Sequence, residues 1–260
     1  MREAVASVVV RGDAAGSAVH RARPAGPLRL LCPRRPGGAA WIVAGNLGGG
    51  LVDGDDLALE VSVGRGATCV VTTQASTKVY RGRTRQRTMV RVDEDATAIV
   101  APDPVVPFRG AELVQATSIE LAAGASLVLV DTLTAGRVAY GERWSAARID
   151  SALEVAIAGE PRLIDRVVLD GDAGARMQRF AALATCVVVG PRAAVAAARA
   201  LAQLTRPAPR APVVVAGSPL AGGAVFRIAG ERVDLVTGAV RALVGEACAE
   251  LGAIPWQRRW

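Results

Sequence analysis

The sequence predicts a mainly β protein: a stacked-strand, β-helical (solenoid-like) domain with a small two-helix element near the C-terminus. Three observations carry this. Apolar alternation of period two recurs through the first part of the 260 residues, the mark of half-buried strands. The alanines that follow three successive turns are Ala67, Ala96 and Ala125, each step being 29 residues. A fixed period of that size implies supersecondary units stacked on one continuous core. After residue 190 the pattern changes to alanine-rich segments with apolar spacing of three and four. We therefore expect a stacked β-strand domain over 1–190, with a helix–strand–helix part over 191–260 packed on it as one continuous domain.

In chain order, residues 5–10 and 17–20 read as an opening strand pair around Arg11-Gly12-Asp13. Pro24, Pro27, Pro33 and Pro36 mark a loop-rich section, with short strands at 28–31 and 41–44. A strand at 57–63 turns at Gly64-Arg65-Gly66 and returns over 67–73. The next unit, 87–92, turns at Asp93-Glu94-Asp95 and returns from Ala96, and the third, 115–121, turns at Ala122-Ala123-Gly124 and returns from Ala125. A fourth unit over 151–169 turns near Gly159. The competing arrangement is a set of evenly spaced hairpins in a sandwich. A helix is expected over 191–205 with Pro191 at its start, where a missing N–H costs nothing. Strands at 213–218 and 224–230 follow, then a helix over 237–252 with Thr237 as its cap. The tail IPWQRRW reads as a frayed end.

Composition narrows the function. The chain is 51% hydrophobic but only 3% aromatic, so its core is built from Val, Ala, Leu and Ile. The formal charge is +7, with arginines spread along the chain and no aromatic interleaving. That reads as a solvated basic surface, not a nucleic-acid reader. No apolar run approaches the ~18 residues of a membrane span, and the N-terminus is too soon interrupted by charge for a secretory signal. A cytoplasmic location is expected, with no membrane partner. Cys32, Cys69, Cys186 and Cys248 are scattered and read as small buried hydrophobes. His20 is the one histidine and reads as a structural or surface residue; a catalytic triad would have to use it, with no nucleophile motif to match. HExxH, CxxC and EF-hand patterns are absent, and GNLGGG lacks the lysine and hydroxyl of a P-loop. This inventory argues against an enzyme.

The return strands end in Thr72-Thr73, Asp103, Asp131 and Asp165. Stacked in register, these oxygens would form a row along or through the stack. Carboxylates in an apolar wall are costly unless paired, solvated or metal-bound. The plainer alternative is that each aspartate caps a turn.

The stretch 45–82 is the most distinctive. A glycine-rich loop, Gly48-Gly49-Gly50, leads through Asp53, Gly54, Asp55 and Asp56 into a strand pair ending TTQASTKVYR, which holds the only lysine, Lys78. Its GGL-x-x-GD loop (Gly49, Gly50, Gly54, Asp55) and TTQA-x-TKVYR end (through Thr77, Lys78, Tyr80 and Arg81) resemble the signature of the urease accessory protein UreD (UreH) family. PDPVVPF at 102–108, the GR-x-x-GE block at Gly136, Arg137, Gly141 and Glu142, and GEPRLIDR at 159–166 extend the resemblance. Asp53 departs from it, standing where the family more often has glycine. The resemblance implies a non-catalytic maturation factor that binds urease apoprotein and the accessory protein UreF, and through UreF the nickel-carrying GTPase UreG. It implies no tightly bound cofactor but Ni2+ in transit, along Asp55, Asp56, Thr77, Asp131 and Asp165. The alternative is a β-solenoid carbohydrate-active enzyme using Asp55, Asp56 and Asp131. Such enzymes stack sugars on aromatics, and this chain has four Trp, two Tyr and three Phe.

Overall fold

Side-chain alternation assigns one face of each strand to an interior, and the chain satisfies it with two sheets facing each other. The computed structural model describes residues 3–34 and 37–257, so the expectations for Pro36 and for the last three residues of the tail lie outside the described residues. The strands are β1 (Ala4–Asp13), β2 (Gly16–Arg23), β3 (Leu28–Leu31), β4 (Ala40–Asn46), β5 (Asp56–Val63), β6 (Thr68–Thr73), β7 (Thr77–Val79), β8 (Gly82–Val92) and β9 (Thr97–Val100). They continue as β10 (Val105–Pro107), β11 (Ala111–Leu121), β12 (Ser126–Thr134), β13 (Arg148–Ile157), β14 (Glu160–Asp170), β15 (Ala182–Val189), β16 (Val213–Leu220) and β17 (Gly223–Gly230). The helices are α1 (Ala173–Met177), α2 (Ala194–Ala202) and α3 (Val233–Glu250).

The first sheet runs β14-β13-β11-β8-β5-β1-β2 and the second β16-β17-β15-β12-β9-β6-β4-β3. Both are mixed. The first is parallel from β1 to β13 and antiparallel only at its two edges. The second is parallel through β4, β6, β9 and β12 and antiparallel elsewhere. Short β7 and β10 pair with each other beside β12. Each sheet ends in open edges, so neither closes as a barrel.

The 29-residue period is the register of these ladders. Leu57 pairs with Gln86 and Gln86 with Gln115 in the first sheet, while Thr68, Thr97 and Ser126 align in the second. Strands β5 and β6, β8 and β9, and β11 and β12 therefore lie in opposite sheets, and none of these pairs is a hairpin. Ala67, Ala96 and Ala125 sit at the corners where the chain crosses over, exposed by 0%, 1% and 2%. Thr97 donates its N–H to the Ala67 carbonyl at 2.8 Å, and Ser126 to that of Ala96 at 3.0 Å.

The fourth unit does not repeat this. β13 and β14 pair antiparallel in the first sheet. The reason is local: Ala158 and Gly159 both have positive φ, 52° and 83°. Two such residues make the tight turn that matches hairpin twist. The three crossing corners place a single positive φ, at Gly66, Asp95 and Gly124.

The helices also differ from expectation. α2 spans nine residues, and Pro191 lies in the turn before it instead of at its first position. α3 starts at Val233, and Thr237 is inside it: the Thr237 hydroxyl donates to the Val233 carbonyl at 2.8 Å, so it is no cap. The acidic Asp234 in the first turn favours that earlier start. β16 and β17 join the second sheet beside β15. One core lies between the sheets and includes Val8, Val61, Val90, Ile119, Leu127 and Val187. Another lies between the second sheet and the helices α2 and α3, around Phe226, Ile228, Val236 and Val244. Cys69, Cys186 and Cys248 are buried as expected, but Cys32, just past edge strand β3, is exposed.

Candidate functional site

Inside a two-sheet fold the inward positions are normally apolar. Here strand β8 turns Thr84, Gln86 and Thr88 inward ahead of Val90, and β11 turns in Gln115 and Thr117 ahead of Ile119. Gln86, Gln115 and Ser151 are direct neighbours across β8, β11 and β13. Opposite them stand Thr73 and Asp131 on the second sheet, with Asp103 in the loop between β9 and β10. Gln86, Gln115, Thr117, Thr73, Asp103 and Asp131 line an inner cavity of about 70 Å³, with Leu59, Val71 and Leu129 as apolar wall. That exceeds the roughly 10–15 Å³ needed by one water.

Asp131 is the central charge. Its carboxylate accepts from Gln115 Nε2 at 3.2 Å to each oxygen, and the same amide reaches Ser151 Oγ at 3.3 Å. Burial pushes its carboxyl above the usual range, the Gln115 and Ser151 hydrogen bonds oppose this, and the nearby Asp165 charge adds to it. Asp165 faces inward from β14 and holds Arg227 at 2.6 Å. Asp131, Thr185 and Arg227 are consecutive neighbours across β12, β15 and β17, so this cation sits one strand beyond Asp131's partner. Asp103 donates its N–H to Thr73 Oγ1 at 2.8 Å, and the Thr73 hydroxyl donates back to Asp103 Oδ2 at 3.1 Å. Thr72 is buried, and its hydroxyl donates to the Ala101 carbonyl at 2.8 Å.

An outer cavity of about 370 Å³ abuts the inner one and is lined by Asn46, Gly49, Gly50, Gln74, Ser76 and Thr77. Thr73, Thr77 and Gln86 line both. Of the five residues proposed for an ion path, then, Thr77 and Asp131 line the cavities and Asp165 stands beside Asp131. Asp55 and Asp56 do not line either cavity. The Asp55 carboxylate accepts the Val52 N–H at 2.8 Å, closing its own loop. Asp56 lies on the outward face of β5 and binds Arg87 at 2.9 Å. Asp55, Asp56 and Asp131 thus share no surface on which a saccharide could lie.

The motif residues form the wall and its support. Gly50 packs on β7 so closely that a Cβ there would meet the Lys78 carbonyl at 2.5 Å and the Tyr80 ring at 2.8 Å. Leu51 donates its N–H to that Lys78 carbonyl at 2.8 Å, and Tyr80 donates to the Leu51 carbonyl at 2.9 Å. The Lys78 ammonium side is exposed, so this residue contributes backbone to the junction. Gly49, Gly54 and Gly141 take positive φ of 76°, 89° and 71°. Asp53 accepts the Arg83 N–H at 2.8 Å, which gives the unusual residue a structural role at the turn into β8. The Arg81 side chain lies against Gly110. Arg137 grips Glu142 through two nitrogens, at 2.9 and 2.5 Å, and lies 4.2 Å over the Phe108 ring, which meets Tyr80 edge-on at 5.1 Å. The Arg137 pairing holds the Glu142 carboxyl below its usual range. A Cβ on Gly136 would meet the Pro107 carbonyl at 2.5 Å. Four sequence blocks thus converge on one junction around β7 and β10.

The family profile described as UreD urease accessory protein matches residues 2–260. The chain belongs to the UreD urease accessory protein family. It is 46% identical over 248 residues to the urease accessory protein UreD of Sorangium cellulosum, covering 93% of this chain and 80% of that one. It is 40% identical over 259 residues to UreD of an Anaeromyxobacter species, covering 96% and 87%. Urease accessory protein D of Oryza sativa subsp. indica is 36% identical over 188 residues, 68% of this chain and 61% of that one. UreD is named as an accessory to urease and not as the enzyme, in keeping with the non-catalytic reading of its residue inventory.

Among the described residues of this UreD chain, no three His, Cys, Asp or Glu side chains gather as a metal cluster, and no helix is long and apolar enough to cross a membrane. Burial raises the thiols of Cys69 and Cys186, and pushes Cys248 up to about 12, so none of the three is a ready thiolate ligand. His20 is exposed on β2. The residues the motif reading missed are Asn46, Gln86, Gln115 and Ser151. For Gln86 and Gln115 the signal was present, as polar residues at inward positions of TRQRT and QATS; nothing comparable marks Asn46 or Ser151.

Proposed function

We propose that this UreD chain is a non-catalytic scaffold that binds urease apoprotein together with UreF, and through UreF the GTPase UreG, and that it conducts Ni2+ to the urease active site. The observation that carries the conduit is the inner cavity, whose mainly apolar wall is broken by the polar groups of Thr73, Asp103, Gln115 and Asp131. We read the 29-residue register as a short β-helical stack whose interior is left partly polar for this purpose. A borderline divalent ion accepts carboxylate, amide, hydroxyl and water oxygens. Without a cluster of histidine or thiolate ligands, each site holds it weakly, and a transit path needs weak, successive sites. Thr77 and Asp131 carry the path in this reading. Asp165, neutralised by Arg227, tunes the charge at Asp131, and Asp55 and Asp56 support the loop and outer face.

Co-expression with the urease subunits, UreF and UreG tests both halves. The native chain should co-purify with them. Asp131→Ala should co-purify equally and yield urease with several-fold less nickel. Loss of assembly in that variant would make Asp131 structural, and an unchanged nickel content would remove it from the path.

A further inference from the structure

Three buried side-chain oxygens among the described residues lack a hydrogen-bond partner: Asn46 Oδ1, Gln86 Oε1 and Ser145 Oγ. Two of the three residues that carry them, Asn46 and Gln86, line the outer cavity, and Gln86 lines the inner one as well, the oxygens themselves being shut off from water by their neighbours. Buried amide carbonyls are ordinarily satisfied, so two orphans on one void point to something that visits it. The Asn46 orientation is fixed, since its Nδ2 donates to the Gly50 carbonyl at 2.7 Å, leaving Oδ1 as the free end. Gln86 stands in its ladder between Leu57, which has no donor side chain, and Gln115, whose amide already serves Asp131 and Ser151. The Gln86 carbonyl cannot be satisfied by its row.

We propose that Asn46 and Gln86 are neutral oxygen ligands for the divalent cation, with Gln86 the selecting residue at the neck between the outer cavity and the carboxylate chamber. This rests on the conduit reading above. A cation leaving bulk water exchanges some of its water for carbonyl oxygens before it meets a charge. A neutral donor at the neck accepts the ion without holding it, whereas a carboxylate there would bind longer. The two amides lie at different depths: Asn46 at the end of β4 beside the glycine loop, Gln86 on β8 at the wall shared by both voids.

The test uses the full complex of this chain with urease apoprotein and its accessory partners, supplied with Ni2+, and reads metal per urease by elemental analysis. Gln86→Leu keeps most of the side-chain volume and removes the whole amide, oxygen and nitrogen together. It should assemble normally, unfold no earlier than the native chain, and deliver at least fivefold less nickel. Gln86→Glu keeps an oxygen and should deliver more than Gln86→Leu while releasing the ion more slowly. Asn46→Leu should lower delivery less than Gln86→Leu. Native delivery by Gln86→Leu, or equal failure of the Leu and Glu variants, overturns the assignment. Asp131→Ala run in parallel separates the two claims. If it fails while Gln86→Leu delivers normally, only the neck assignment falls. If both deliver normally, the conduit itself falls.

Discussion

Asp131 is a buried carboxylate that the fold disfavours. Its folded pKa lies above its unfolded one, chiefly because burial disfavours the charged form. For a raised carboxyl, stability falls as pH rises from the ordinary carboxylate range, and the penalty is present at neutral pH. Asp131→Asn keeps an acceptor for Gln115 and removes the charge. It should stabilise the protein at pH 7 by on the order of 1 kcal/mol, about 2–4 °C in Tm, with no gain near pH 4. Thermal scans at the two pH values check this; a lower Tm at pH 7 would contradict it. Asp150 has the opposite sign: bonds from Arg166 and Arg148 depress its carboxyl to about 2. Its contribution is present above the unfolded carboxylate pKa and is lost as pH falls through about 2. Asp150→Asn should cost roughly 1 kcal/mol at neutral pH, since both arginines are substantially solvated and screened, and nothing below pH 2, as read by denaturant titration. At this scale the sequence was half informative. Asp131 was found from the expected end of a return strand, although β12 runs on past it to Thr134, while Asp55 and Asp56 stood out only as a charge cluster. Nothing in a run of aspartates says which face of a strand each takes.

At the scale of elements, the Gly50 loop, β7 and β10 form one junction. Gly50→Ala would drive a methyl into the Lys78 carbonyl, which is backbone and cannot swing away. We expect a loss of about 1–3 kcal/mol, the range for overpacking, and a widened outer cavity. Urea unfolding measures the first; a native midpoint would mean that the loop and β7 separate easily. The elements themselves were legible wherever apolar alternation was strong, as in β5, β6 and β12. The start of β8 was not, because Thr84 and Gln86 put polar groups where a strand normally buries apolar ones, and β11 was read from Gln115 but not from Ala111. Local pattern and global fold disagree there because a cavity replaces the core. The turn of the fourth unit was expected near Gly159 and lies there, but its closing as a hairpin within one sheet was not foreseen, because Ala158 takes positive φ beside Gly159, a choice that the alanine does not announce.

At the scale of the molecule, one period sets everything from the alanine corners to the surface. Arg83–Glu112 and Arg91–Glu120, each pair 29 residues apart, bridge successive repeats at 2.8 Å. These pairs are exposed, so Arg91→Ala should change stability by less than about 0.5 kcal/mol, measured by denaturant midpoint. A larger loss would mean that the ion pairs, and not the interior, hold the repeats in register. The interior is where the period matters, because it brings Gln86, Gln115 and their neighbours level with Thr73, Asp103 and Asp131 around a void. Thr117 lines that void and is not among the proposed ion ligands. Thr117→Phe would fill the cavity and leave every assigned oxygen ligand in place. Nickel delivered to urease by the assembled complex should fall at least tenfold with this variant; delivery at the native rate from an intact complex would mean that the ion travels over the surface, and that the cavity is not its route.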